Sequence, residues 1–272
     1  MTGTGWDMAR RLLNFLEGLL NLISMLVIVV VGAYAGYALW DNQQIYSAAE
    51  NVQADMLLYK QKAEEQEASY ADMLGELRLV NADVRAWLTL DNTKIDYPVV
   101  QGVTNFTYLN ADVYGKFSMA GSIFADARND KNFWDNYTLI HGHHMSERRM
   151  FGDLDLYKDK TFFDTYKTGV LILEDRTYNL LTFACLLVDS NDAMIFVPER
   201  WQNDDIELLM EYTREKSLHH DEETLVRLIE EKEAAKTGGR HPQIISLATC
   251  SSEYDAARTI VLAEMIPVEE TE

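Results

Sequence analysis

Three short stretches of the chain carry side chains that could perform covalent chemistry. They are a histidine cluster, a cysteine and an arginine, in chain order His141, His143, His144, Cys250 and Arg258. A cysteine attacks as the thiolate and needs a positive or proton-accepting neighbour. An imidazole exchanges protons near neutral pH, and a guanidinium can hold a developing oxyanion. Together the three side-chain types point to acyl transfer.

The elements that carry these residues decide whether they can meet. Cys250 ends one apolar run, and Arg258 begins the next after the short stretch 251–257. Strands joined by so short a loop are usually hairpin neighbours, so we expect Cys250 and Arg258 side by side at one end of a sheet. Spacing alone does not bring His143 near Cys250, and it favours none of the three histidines.

Other interpretations of these residues remain open at this point. A cysteine at a strand end is often a small buried hydrophobe, and Cys185, inside the apolar run 180–188, is expected to be a core residue. A disulfide between Cys185 and Cys250 is conceivable outside the cell. Three histidines in four residues could also bind zinc. No acidic or cysteine ligand cluster lies nearby in the sequence, so we predict no metal and no cofactor.

Composition narrows the class of partner. The 272 residues carry 24 Lys and Arg against 44 Asp and Glu, a formal charge of -20. A surface this acidic repels the phosphates of nucleic acid, so we do not expect this protein to bind nucleic acid. Two cysteines are too few for a disulfide scaffold.

The N-terminal segment differs from the rest of the chain. Residues 18–40 contain no charged side chain, and a helix of that length spans about 34 Å, enough for a bilayer. Basic residues precede the segment, so the positive-inside rule predicts a cytoplasmic N-terminus and an extracellular remainder. A cleaved signal peptide is the alternative, although the apolar run exceeds the usual length of such a signal. A buried helix of a soluble protein does not fit a segment that is apolar on every face.

After this segment the pattern is first helical and then mainly β. Apolar residues recur at helical spacing in stretches 42–80 and 199–236. The first stretch is a stalk or an N-terminal helix packed on the domain after it, and its first half could equally be a solvated spacer. Eight short strands are predicted, at 87–90, 95–100, 121–125, 137–140, 170–173, 178–188, 244–247 and 259–263. Eight strands with one long helical insertion indicate a closed or nearly closed β-barrel with peripheral helices.

Several motifs together resemble one enzyme family. The stretch 247–250 followed by Arg258 resembles the Thr-Leu-x-Thr-Cys…Arg signature of sortases, the membrane-anchored cysteine transpeptidases of Gram-positive surfaces. Stretch 140–145 resembles their catalytic-histidine segment. Class B is indicated by matches at 84–88, 95–102, 108–110, 121–124 and 150–154, and by the helical insertion 199–236. The resemblance covers roughly 80–266 and implies the sortase-type eight-stranded β-barrel.

The resemblance also implies a role for each residue. Cys250 would attack the carbonyl of a Thr in a C-terminal sorting signal, and His143 would protonate the leaving amine and later deprotonate the incoming one. Arg258 would bind the substrate backbone or the oxyanion. The substrate is expected to contact Asn105, Leu109 and Thr249.

The apolar segment and the resemblance together give the expected domains, and the resemblance implies the partners. The domains would be a cytoplasmic stretch 1–17, an anchor 18–40, helices 41–80 and a catalytic domain 81–268. Partners would be surface proteins bearing sorting signals, and an amine of the peptidoglycan cross-bridge, of its lipid-linked precursor or of a pilin lysine. A hydrolytic cysteine peptidase and a non-catalytic surface binding module are the rival functions.

Overall fold

The computed structural model describes residues 3–66, 69–203, 206–250 and 257–268. The chain divides into two compact units between Ser47 and Ala48. The six α-helices of the described ranges are α1 Gly3–Glu65, α2 Tyr70–Val80, α3 Lys160–Thr165, α4 Ala193–Phe196, α5 Ile206–Lys216 and α6 Glu222–Ala235. Three 3₁₀ turns accompany them, at Ser146–Arg148, Gly152–Lys158 and Pro198–Asn203.

The first unit consists of the N-terminal part of α1. The helical stretch Trp6–Glu65 includes a segment that is long and apolar enough to cross a membrane, and none of that segment is buried in protein. The predicted anchor 18–40 lies within this helix. A candidate membrane span is therefore present, as the sequence predicted.

Ten strands follow in the second unit. They are β1 Val84–Leu90, β2 Asp96–Val100, β3 Ile123–Ala125, β4 Tyr137–Met145, β5 Arg149–Met150, β6 Thr168–Ile172, β7 Thr177–Asp189, β8 Ser217–His220, β9 Ile244–Cys250 and β10 Ala257–Pro267. Eight of them hydrogen-bond in the order β10-β9-β4-β3-β2-β1-β6-β7, and β7 pairs with β10 to close the barrel. The predicted eight-stranded barrel is confirmed, and the eight barrel strands are the eight that the sequence predicted.

Two pairings in the barrel are parallel, and both involve neighbours of the histidine segment. Strand β2 runs parallel to β3, and β4 runs parallel to β9, whereas the other six barrel pairings are antiparallel. The short strands β5 and β8 extend the barrel edge, β5 on β4 and β8 on β7. Each adds a strand that the sequence did not predict.

Each of the two stretches predicted as helical contains more than one element. In 42–80 helix α1 ends at Glu65, and Ser69 caps α2 by accepting a hydrogen bond from the backbone N–H of Asp72 at 3.2 Å. In 199–236 the residues of β8 pair with the edge of β7, and Asp221 then caps α6. At these points a side-chain cap and a strand edge satisfy the backbone in place of helical hydrogen bonds.

Helices cover the barrel with apolar side chains. The later part of α1 and the helix α2 bury side chains against β1 and β2, including Met56, Ala63, Met73, Leu74 and Leu77. Helices α5 and α6 bury Leu209, Leu225 and Leu228 against the strands that carry the histidine and cysteine segments. From Met56 onward the stretch 42–80 is thus packed on the fold.

Candidate active site

The histidine and cysteine segments lie on adjacent strands. Strand β4 pairs in parallel with β9, with His143 opposite Cys250 and Gly142 opposite Thr249. Neighbouring strands of a sheet run about 4.8 Å apart, so the backbones of His143 and Cys250 are direct neighbours. The Cys250 side chain and residues 251–256 lie outside the described part of the chain.

Arg258 approaches the same end of the barrel from the next strand. The predicted hairpin is confirmed, because β10 runs antiparallel to β9, with Ile260 opposite Ala248. On its other side β10 pairs with β7, and Arg258 lies opposite Val188. The Nη1 atom of Arg258 is buried and has no hydrogen-bond partner among the residues that the structure describes. A buried guanidinium nitrogen without a partner is a ready donor for a substrate oxygen.

The ring of His143 is held by the backbone of a loop. Its Nε2 atom lies 2.6 Å from the carbonyl oxygen of Leu109. Since a carbonyl can only accept, Nε2 carries the hydrogen in this contact. Gly121, with φ of 59°, packs so closely that an added Cβ would lie 2.9 Å from the ring Cδ2 of His143.

Four of the six predicted site residues line one open cavity of about 510 Å³: His143, Arg258, Leu109 and Thr249. Cys250 adjoins Thr249 in the chain, but its side chain is not described. Asn105 is not among the lining residues, and its amide donates to Asp126 Oδ2 at 2.8 Å. The structure therefore places four of the six predicted residues at one cavity. Asn105 instead bonds to Asp126, which is not among the residues that line this cavity.

Two acidic residues that the sequence did not single out bind the other histidines. The first is Asp126, fully buried, whose Oδ2 lies 3.0 Å from His141 Nε2. Burial by itself would raise the pKa of Asp126, but hydrogen bonds from Arg128 and His141 outweigh it and hold that pKa well below its ordinary value. The His141 ring also stacks on Phe124, with centroids 5.1 Å apart.

The second is Asp155, which binds His144. Its Oδ2 lies 3.0 Å from His144 Nε2, and its Oδ1 accepts from Thr259 Oγ1 at 2.8 Å. The bond with His144 leads the interactions that lower the pKa of Asp155, and bonds from Lys158 and Thr259 add to it against partial burial. No signal in the sequence points to either carboxylate, because Asp126 and Asp155 lie far along the chain from Cys250 and in no motif with it.

Cys185 occupies the middle of β7 and is fully buried. It is a free thiol, and burial raises its pKa to about 12. The prediction of a core residue is confirmed, and the disulfide with Cys250 is excluded.

A metal centre finds no support in the described ranges. No group of three or more His, Cys, Asp or Glu side chains that could hold an ion occurs among the residues of the structure that are described. His141 and His144 instead bind separate carboxylates, Asp126 and Asp155.

Known proteins resemble the chain over most of its length, although no protein-family model matches it. A curated relative, sortase B of Listeria monocytogenes, is 27% identical over 260 residues, which cover 94% of this chain and 99% of the relative. The crystal structure of a Streptococcus pyogenes class B sortase involved in pilus biogenesis is 32% identical, with a TM-score of 0.61. That match covers 70% of this chain and 96% of the other.

A further solved structure, the Staphylococcus aureus sortase B-substrate complex, shares the fold. It is 24% identical, with a TM-score of 0.65, and the match covers 79% of this chain and 94% of the other. The similarity spans the barrel and nearly the full length of these proteins. This chain belongs to the class B sortases, a family of cysteine transpeptidases.

Proposed function

We propose that Cys250 is the nucleophile of the transpeptidation, that His143 is its general acid and base, and that Arg258 binds the oxyanion or the substrate backbone. The observation that carries this proposal is the register of β4 and β9, which pairs the backbones of His143 and Cys250. Arg258 supports it with a buried Nη1 atom at the wall of the same cavity, which has no hydrogen-bond partner within 3–66, 69–203, 206–250 and 257–268.

The first step forms an acyl-enzyme. The Cys250 thiolate attacks the carbonyl carbon of a Thr in the sorting signal, and the oxyanion is held by the Arg258 guanidinium. The carbon–nitrogen bond then breaks, and protonated His143 gives its proton to the departing amine. Since His143 Nε2 donates to the Leu109 carbonyl, Nδ1 is the nitrogen that exchanges the proton.

The second step transfers the acyl group. Neutral His143 takes a proton from an incoming amine, which attacks the thioester carbon, and the Cys250 thiolate leaves. The product is a new amide between the surface protein and an amine of the peptidoglycan cross-bridge, of its lipid-linked precursor or of a pilin lysine. Leu109 and Thr249, both on the cavity wall, are the proposed substrate contacts, with Asn105 a further candidate.

The proposed location follows from the apolar part of α1. Residues 18–40 would anchor the chain in the cell membrane, with 1–17 in the cytoplasm and the helices 41–80 and catalytic domain 81–268 outside. Anchoring suits the reaction, because a membrane-held acceptor precursor and the enzyme would then share one surface. Helix α1 supports the proposal by its length and its exposed apolar segment.

The decisive experiment separates transfer from hydrolysis. The full-length chain in detergent micelles is mixed with a panel of peptides centred on Thr, with and without triglycine, and the products are followed by mass spectrometry. We expect a thioester on Cys250, and a peptide–triglycine amide when the amine is present. Release of free acid alone, at the same rate with and without amine, would identify a hydrolase. Turnover by Cys250→Ala would remove Cys250 from the mechanism.

A second experiment identifies the histidine. His143→Ala should lower the rate of thioester formation by at least about 10²-fold, the usual scale for a lost general acid. His141→Ala is the control and should lower it far less, because it removes no proposed proton transfer. His144→Ala should also lower it far less than His143→Ala, but it loses the bond to Asp155 and is therefore not a control. The variants should keep peptide affinity. Normal acylation by His143→Ala would refute its role.

A further inference from the structure

The carboxylate of Asp155 connects the two strands that carry His143 and Arg258. Asp155 lies in the 3₁₀ turn Gly152–Lys158. Its Oδ2 lies 3.0 Å from Nε2 of His144, on β4. Its Oδ1 accepts a hydrogen bond of 2.8 Å from Oγ1 of Thr259, on β10. The two oxygens of one side chain therefore bind two strands that do not pair with each other.

The two partners of Asp155 on β4 and β10 are immediate neighbours of proposed catalytic residues. His144 follows His143, and Thr259 follows Arg258. Successive side chains of a strand point to opposite faces, so fixing one side chain fixes the backbone from which the next one projects. Asp155 thus bonds to β4 one residue away from His143, and to β10 one residue away from Arg258.

The third catalytic strand is tied into the same network. The backbone N–H of Thr259 donates to Oγ1 of Thr249 at 3.2 Å, and Thr249 directly precedes Cys250. Thr249 and Thr259 are both buried, so water does not compete for the bond between them. From Asp155, hydrogen bonds therefore reach the chain positions next to all three proposed catalytic residues.

The carboxylate remains charged in this setting. Lys158 places Nζ 2.6 Å from Oδ1 of Asp155. Hydrogen bonds from His144, Lys158 and Thr259 hold the pKa of Asp155 well below its ordinary value. An ionised acceptor makes stronger hydrogen bonds than a neutral one, so the bonds to both strands are charge-assisted.

We propose that Asp155 is a positioning residue, which sets the placement of His143 and Arg258 relative to each other through His144 and Thr259. This inference rests on the proposed roles of those two residues. Asp155 contacts no reacting group in the proposed mechanism and is not among the residues lining the cavity. Its effect on catalysis is indirect, through the backbones of β4 and β10.

Alkylation of Cys250 by iodoacetamide at pH 7 tests the proposal without any peptide. A guanidinium held near the thiol favours the thiolate, the form that is alkylated. If Asp155 positions Arg258, then Asp155→Asn and Thr259→Val should both slow alkylation, by about 3–10-fold for a rise of about 0.5–1 in the thiol pKa. A purely through-space charge effect has the opposite sign, because removing a negative charge favours the thiolate.

The controls use the full-length chain, with the modified thiol identified by peptide mass. Thr259→Ser keeps the hydroxyl, so its Cys250 should be alkylated at the same rate as in the chain without substitutions. Asp164→Asn removes a carboxylate that pairs with Lys160 on the neighbouring α3 and should have no effect. Thermal unfolding of each variant confirms that it is folded. The same two variants, Asp155→Asn and Thr259→Val, should lower the maximal rate of thioester formation with little change in peptide affinity.

The outcomes separate this proposal from the proposed function. Alkylation that is unchanged or faster in Asp155→Asn, or unaffected in Thr259→Val, overturns the positioning role. If the proposed function fails instead, the chain without substitutions is alkylated at Cys250 but forms no thioester with any peptide. In that case the alkylation rates still decide whether Asp155 acts on the site.

Discussion

Gly121→Ala should disable the candidate site by displacing the ring of His143. Gly121 has φ of 59°, a conformation that side chains with a Cβ rarely adopt. An added Cβ would lie 2.5 Å from the carbonyl oxygen of Leu109, 2.9 Å from that of Tyr108 and 2.9 Å from Cδ2 of His143. Two of these three atoms belong to backbone, which cannot rotate away as a side chain can.

The expected size of the effect has two parts. The left-handed conformation costs an Ala residue about 1–2 kcal/mol, and relief of the overlap costs about 1–3 kcal/mol more. The Leu109 carbonyl that must move also accepts the 2.6 Å hydrogen bond from His143. A reacting group displaced by about 1 Å loses on the order of 10²-fold in rate, so we expect a loss of that size in thioester formation.

Gly115→Ala is the matched control. Gly115 has φ of 74° and nothing within 4 Å of an added Cβ, so the same change produces the backbone strain without the overlap. Chemical denaturation gives the free energy of unfolding of both variants, and mass spectrometry gives their acylation rates. We expect Gly115→Ala to lose stability alone and Gly121→Ala to lose both. Equal acylation rates in the two variants would refute the argument that Gly121 makes room for His143.

Three further predictions concern the rest of the chain. Cys185→Ala should cost about 1–3 kcal/mol of stability through lost packing but leave acylation unchanged, and inactivity of the folded variant would contradict its core role. A chain starting at residue 42 should unfold cooperatively, whereas one starting at residue 75 should melt at a lower temperature, because it loses buried Met56 and Leu74. Asp126→Ala should lower the free energy of unfolding at pH 7 by about 3–5 kcal/mol. The native pKa of Asp126 is depressed, so its contribution is complete above about pH 4 and is lost as the pH falls further; a gap between the two proteins that persists undiminished to pH 2 would contradict the pairing.

The sequence was sufficient to predict the barrel strands because each is a short apolar run bounded by turn residues. It missed β5 and β8 because neither is apolar: Arg149–Met150 and Ser217–His220 become strands only by pairing with an existing edge. Local pattern cannot reveal a strand that forms through a partner distant in the chain.

Part of the candidate site could also be predicted from the sequence. The β9–β10 hairpin could be expected from its short connection, which relates Cys250 to Arg258. The neighbourhood of His143 and Cys250 came from the resemblance and not from spacing, because it depends on a parallel pairing between distant segments. Asp155 could not be found at all, since its partners His144 and Thr259 meet it only in the folded barrel.

The parallel pairing of β4 with β9 also has a consequence for folding. Strand β4 begins at Tyr137 and β9 at Ile244, so every contact between them closes a long loop, and long-range contacts of this kind form slowly. The intervening chain supplies β6 and β7, which must join β1 and β10 before the barrel can close. His143 and Cys250 therefore become neighbours only in the nearly complete fold. We expect a newly made chain to keep its thiol and its imidazole apart until the barrel has closed, so that maturation of the protein and onset of its reactivity coincide.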